Sequence, residues 1–253
     1  MSRISAFESL RLAPTLPNQL VCYLDKQATE RRLAITEAIR ECLTAWRTLG
    51  GAPVTTHERL GYLAQQKKLT LESVVGDVLE RVARTLPEAP PNLETGLRDY
   101  NHDEQQEVFE RLKLGKSQLK ESGVRFAPQI PLQELAHLER SARESQMSIN
   151  QCFRTHLDAW RTLGGASVTA HQRIRQYATT KGISLESAVN SLLTAHANNL
   201  EDPPAKVVIK TGLEVLPLDG LLERLGEQMV SAKTASIRAA AKKPRKHAAA
   251  PHK

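Results

Sequence analysis

Residues Ser9-Leu10-Arg11-Leu12-Ala13-Pro14-Thr15-Leu16 alternate in period two, with Leu10, Leu12 and Leu16 on one face and Arg11, Ala13 and Thr15 on the other. Successive strand side chains point to opposite faces, so the pattern predicts a short, half-buried β-strand. It returns at Val124-Arg125-Phe126-Ala127-Pro128-Gln129-Ile130, apolar at Val124, Phe126 and Ile130. Both polar faces read Arg, Ala, then an uncharged hydrogen-bonding residue: Arg11, Ala13, Thr15 and Arg125, Ala127, Gln129.

The two strands belong to a longer repeat. Ala45-Trp-Arg-Thr-Leu-Gly-Gly-Ala52 recurs letter for letter as Ala159 to Ala166, a shift of 114 that also places Leu24 on Leu138, Ile35 on Ile149, His57 on His171 and Leu71-Glu72-Ser73 on Leu185-Glu186-Ser187. Shifts of 113 to 116 carry Pro90-Pro91 onto Pro203-Pro204 and Glu110-Arg111-Leu112 onto Glu223-Arg224-Leu225. The chain therefore reads as a tandem duplication of one domain, over residues 1–115 and 116–230, followed by a tail at 231–253. The expected class is mainly α, each copy a short strand followed by helix pairs.

Within each copy, Pro17 or Pro131 suits a first helical position, where the missing N–H has no intrahelical partner. Leu20, Leu24 and Ala28, then Ile35, Ile39, Leu43 and Trp46, keep helical spacing that breaks around Arg31 to Leu33. The units run over 10–48 and 124–162, and Gly50-Gly51 and Gly164-Gly165 stop the longer helices. A second helix pair follows at 54–86, turning at Lys67 to Thr70, and at 168–198, turning at Lys181-Gly182. Proline-rich linkers and a short helix close the copies over 87–115 and 199–230.

Strand, proline turn, Leu-x-x-x-Leu helix and a second helix with an Ile-Arg-Glu-like run together resemble the ribbon-helix-helix family of the Arc and methionine repressors. The matching residues are Leu16-Pro17, Leu20, Leu24, Ile35 and Ile39-Arg40-Glu41 in the first copy. In the second they are Ile130-Pro131, Leu135, Leu138, Ile149 and Phe153-Arg154. The resemblance implies an antiparallel ribbon that reads double-stranded DNA through the major groove. Its base contacts would be Arg11, Ala13, Thr15, Arg125, Ala127 and Gln129: arginine bonds guanine, glutamine pairs with adenine, and threonine offers a hydroxyl or a methyl.

The resemblance also implies phosphate contacts at the start of each second helix, at Ile35 and Thr36 and at Ser148, Ile149 and Asn150, where backbone N–H groups and the helix dipole attract an anion. Neither Ala34-Ile35-Thr36 nor Ser148-Ile149-Asn150 holds an acid, whereas Glu72 and Glu186 open the later helices with a carboxylate. The ribbon forms either within one chain, as a pseudo-dimer, or between two chains as a homodimer. A bacterial or plasmid repressor, or an accessory factor in DNA transfer or maintenance, is the implied role.

Charge supports contact with nucleic acid. The net charge is +7, but Lys233, Arg238, Lys242, Lys243, Arg245, Lys246 and Lys253 all lie in the acid-free tail, which leaves 28 basic against 28 acidic residues elsewhere. A tail rich in Ala, Pro and Lys predicts disorder, with Lys242, Lys243, Arg245 and Lys246 as further phosphate contacts through counterion release. A second reading is a helical repeat scaffold for proteins whose tail alone binds nucleic acid.

Other chemistry finds little support. Three cysteines (Cys22, Cys42, Cys152) show no metal-ligand spacing and an odd count, so they read as reduced and buried. His57 and His171 have no matched nucleophile or second ligand, so packing at a helix start is the expectation, with no enzyme activity, cofactor or metal. Trp46 and Trp160, at helical spacing beside the glycines, read as core anchors. No apolar run reaches the roughly 20 residues of a membrane span, and the expected location is cytoplasmic, with the nucleoid or a plasmid.

Overall fold

A computed structural model describes residues 9–225 apart from 96, 98, 99, 116, 121, 122, 219 and 222. The tail phosphate candidates Lys242, Lys243, Arg245 and Lys246 lie outside these residues. The chain is mainly helical. Its elements are β1 (Ser9–Arg11), β2 (Thr15–Leu16), α1 (Asn18–Arg31), α2 (Ile35–Arg47), α3 (Val54–Lys67), α4 (Leu71–Ala83) and α5 (His102–Arg111), then β3 (Leu119–Lys120), β4 (Gly123–Arg125), β5 (Gln129–Pro131), α6 (Leu132–Glu144), α7 (Ile149–Arg161), α8 (Val168–Lys181) and α9 (Leu185–Ala197).

The strands of the two halves pair with each other, antiparallel, within the one chain. Ser9 pairs with Pro131, Leu10 with Ile130 and Arg11 with Gln129; Thr15 pairs with Arg125 and Leu16 with Val124. Each expected continuous strand is interrupted, at 12–14 and at 126–128. The cause is proline. In this register Leu12 faces Pro128 and Phe126 faces Pro14, pairs that would ordinarily exchange two ladder bonds. Each proline lacks an N–H, so only Leu12 N–H to the Pro128 carbonyl (3.3 Å) and Phe126 N–H to the Pro14 carbonyl (3.1 Å) remain. The prolines thus face the partner strand, and the ribbon is thinnest in bonds at its midpoint.

Proline also acts one position earlier at the helix starts than expected. Pro17 (ψ 146°) and Pro131 (ψ 143°) hold extended N-cap conformations, and the helices begin at Asn18 and Leu132. Arg32 and Gln146 take left-handed φ values of 58° and 54° and turn the chain into α2 and α7. These two helices are strongly amphipathic. Ile39, Cys42, Leu43 and Trp46 of α2 and Cys152, Phe153, Leu157 and Trp160 of α7 are buried where the two helices pack together, with α1, α6 and the inner ribbon face over them.

The remaining helix pairs interlock across the halves. α3 packs on α9, and α4 on both α8 and α9. Arg59 of α3 donates to the Ala197 carbonyl at the end of α9 (3.2 Å) and pairs with Asp202 (2.7 Å). Arg173 of α8 donates to the Ala83 carbonyl at the end of α4 (3.3 Å) and pairs with Glu88 (3.5 Å). Each arginine therefore caps a helix of the other half, where a cation meets the negative end of the dipole. The repeated octapeptide serves the same interlock. Gly50 (φ +71°) leaves only 2.2 Å between an added Cβ and the Glu186 carbonyl oxygen, and Gly164 (φ +72°) 2.5 Å to that of Glu72.

The segments closing each half are held by repeated devices. The Gln19 side chain donates to the Tyr100 carbonyl (2.9 Å) and accepts from its N–H (2.8 Å). Gln133 does the same with Leu216, at 3.0 Å both ways. The buried carboxylate of Asp25 pairs with Arg111 of α5, and buried Glu139 with Arg143 (3.0 Å) and Arg224 (3.5 Å). α5 begins earlier than its apolar residues suggest, because Asn101 and Glu104 form a capping box. One contiguous apolar core runs from Leu12 to Leu225, so the halves share a core instead of building two.

Candidate nucleic-acid interface

The ribbon separates its residues by face as an amphipathic strand pair must. Leu12, Leu16, Val124, Phe126 and Ile130 are buried on the inner side. Arg11, Arg125, Ala127 and Gln129 are exposed on the outer side, with Ala13 and Thr15 half-exposed beside them. All six expected base readers therefore share one solvent face. They stand in three cross-strand rows: Arg11 with Gln129, Ala13 with Ala127 at the midpoint, and Thr15 with Arg125. Rows two residues apart lie about 6.8 Å from one another, so the three rows span roughly 14 Å. That matches about four base steps at 3.4 Å each. Among the described residues neither Arg11 nor Arg125 forms an ion pair, and both are exposed, so both guanidinium groups are available to a ligand.

One neighbour of this face was not legible in the sequence. Leu119 and Lys120 add a third strand beside β4, with Lys120 opposite Gly123 and Arg125 N–H bonded to the Gln118 carbonyl (2.7 Å). Strand parity puts Lys120 on the face of Arg125, an exposed cation at one end of the ribbon only. Gly123 (φ +136°) lets β4 lie close against β2 on its other side, since a Cβ there would lie 2.0 Å from the Leu16 carbonyl oxygen. Two consecutive strand residues carry too short a pattern to be read from spacing.

The helix starts differ between the halves, and the first departs from expectation. At α2 the Glu37 carboxylate, just beyond the acid-free stretch, accepts from Ala34 N–H (3.1 Å). A negative group already occupies the positive end of that helix, which disfavours phosphate at Ile35 and Thr36. At α7 the box is neutral. Ser148 Oγ accepts from Gln151 N–H (3.3 Å) and the Gln151 side chain accepts from Ser148 N–H (3.0 Å). Ile149 is buried while Asn150 is exposed, so the second-half start offers backbone and side-chain donors without a competing charge.

The matched histidines, the cysteines and the tryptophans sit in the core. His57 and His171 are buried at the starts of α3 and α8. His57 Nε2 lies 3.1 Å from the Thr48 carbonyl, tying α3 to the end of α2. Burial pushes the His171 ring down to about 4. The Cys22 thiol is pushed up to about 11 and Cys42 to about 12 by burial, which suits inert core residues. Trp160 is 1% exposed and Trp46 9%, both packed in the core. No His, Cys, Asp or Glu cluster suited to a metal occurs among the described residues, and none of their helices is long and apolar enough to cross a membrane. No protein-family model, curated protein or solved structure matches the chain.

Proposed function

We propose that the protein is a sequence-specific double-stranded DNA-binding protein in which two diverged copies of a ribbon-helix-helix unit supply one ribbon. The observation that carries this reading is the intrachain pairing of the two strands, which gathers Arg11, Ala13, Thr15, Arg125, Ala127 and Gln129 on one exposed face. A two-stranded ribbon fits the width of the major groove, where every base pair presents a distinct pattern of donors and acceptors. The arginines and Gln129 reach base edges, and the alanines at the midpoint let the backbone approach. Ser148 and Asn150, Lys120 and the basic tail hold phosphates. A role as a bacterial or plasmid repressor, or as a transfer or maintenance factor, accords with this chemistry.

The test is selection of bound duplexes from a random pool at physiological salt, with the full chain. Enrichment of a site, lost in the Arg11→Ala/Arg125→Ala double variant, is the expected result. If that variant selects the same site while removal of residues 231–253 abolishes all binding, the tail alone carries nucleic-acid contact and the chain is a scaffold.

A further inference from the structure

The two halves also differ in what lines the cavity beside the start of the last helix of each pair. In the first half, Arg31 at the end of α1 pairs with Glu41 (2.9 Å) and with Glu186 at the start of α9. Tyr23, fully buried, fills the space beside it. Counting 114 residues on, Arg31 becomes Ser145, Glu41 becomes Thr155 and Tyr23 becomes His137, while Glu186 corresponds to Glu72. The acid is kept, and the arginine and the large ring are gone. A cavity of about 430 Å³ lies there, with Glu72, His137, Ser145, Thr155, His156 and Trp46 on its wall, whereas the first half's cavity of about 550 Å³ keeps Arg31 and Glu41 beside Glu186 on its wall.

The electrostatics of that wall are one-sided. Its cations already have partners: Arg47 pairs with Glu134 (2.7 Å), Arg140 with Glu214 (3.1 Å) and Lys210 with Glu144. Among the described residues Glu72 has no ion pair, and its counterpart Glu186 has one. Burial, and behind it the charge of Asp158, pushes the Glu72 carboxyl up, as expected of an acid that has lost its counter-cation. His156 is half-buried, with its Nδ1 enclosed and unpartnered, while its Nε2 lies 3.3 Å from Ser141 Oγ. Burial holds both His137 and His156 down, at about 4, so the rings are neutral near pH 7 and present hydrogen-bonding edges without charge.

We propose that this cavity binds a small organic cation, an amidine, guanidine or amine joined to a flat or apolar body, whose charge takes the place of Arg31 against Glu72. The size is right for such a molecule, since pockets for small ligands begin at about 300 Å³. Trp46 and Met147 offer the apolar wall, and the histidines orient a polar edge. The site is independent of the ribbon, and the inference stands whether or not the chain binds DNA.

Benzamidine is the probe and benzamide its uncharged isostere, titrated into the full chain while tryptophan fluorescence and calorimetric heat are followed. Benzamidine is expected to bind at least tenfold more tightly than benzamide, with Glu72→Gln removing that preference. Ser145→Arg, which restores the first-half arrangement, is expected to abolish binding and raise the Tm. Equal binding of the two probes, or benzamidine binding that survives Ser145→Arg in a folded protein, overturns the proposal. Circular dichroism of both variants separates loss of the site from loss of the fold.

Discussion

Arg11 stands opposite Gln129 across the β1–β5 ladder, while the other arginine of the outer face, Arg125, stands opposite Thr15. The two ends of the ribbon therefore present different chemistry around an alanine midpoint. Arg11→Ala and Gln129→Ala are expected to relax the same base positions, and Arg125→Ala positions at the other end. Each loss should be about 1–3 kcal/mol against the preferred base. Competition binding with single randomised positions checks this, and overlapping effects of Arg11→Ala and Arg125→Ala would remove the asymmetric reading.

Gly50→Ala should destabilise the fold far more than Gly51→Ala. Both residues have positive φ, which costs a residue with a Cβ about 1–2 kcal/mol. Only at Gly50 does the new methyl also meet a backbone oxygen, at 2.2 Å, with nothing within 4 Å at Gly51. Urea unfolding should separate the two variants by at least about 1 kcal/mol.

That contrast shows what the sequence could convey. The octapeptide reads correctly as a helix end because tryptophan, leucine spacing and paired glycines are local signals. Why its glycine is needed was not legible, since Glu186 lies 136 residues further along. The alternating strands told which residues share a face, and left open whether the strands meet within one chain or between two. Pairing is a long-range choice that no local pattern encodes. Likewise Glu37 sits one residue past the stretch read as free of acid, and only the capping geometry shows its carboxylate closing that helix start.

Arg111→Ala should cost about 1–2 kcal/mol, because it strands the Asp25 carboxylate, which is 4% exposed. The figure lies below that for a fully buried pair because the arginine itself is more than half exposed. Arg40→Ala, which removes only a solvent-facing contact to Glu37 at 3.7 Å, should change stability by less than about 0.5 kcal/mol. Thermal unfolding of the two variants side by side reads the difference.

Stability should fall on acidification well before ordinary carboxylates protonate. His137, His156 and His171 are held near 4 by burial, below the usual histidine value of 6.5. The unfolded chain therefore binds protons between pH 6.5 and 4 that the folded chain refuses. Their stabilising contribution is complete above about 6.5 and is lost as pH falls through that window, at up to about 1.4 kcal/mol per pH unit for each ring. Glu72 and Glu134, pushed up by burial, act in the opposite sense above the usual glutamate value, while His57 and His196, also held down by burial, add to the decline. Urea midpoints at pH 7, 6 and 5 should decline steadily, and His156→Gln should flatten the decline.

The arginine caps that cross between halves have a consequence for stoichiometry. A reader assembled from two separate polypeptides dissociates on dilution, so its occupancy of DNA depends on two equilibria at once. Here Arg59 and Arg173 tie together segments that one backbone already joins, and each half always finds its mate at the effective concentration set by that connection. Either half is free to specialise without having to remain compatible with a copy of itself.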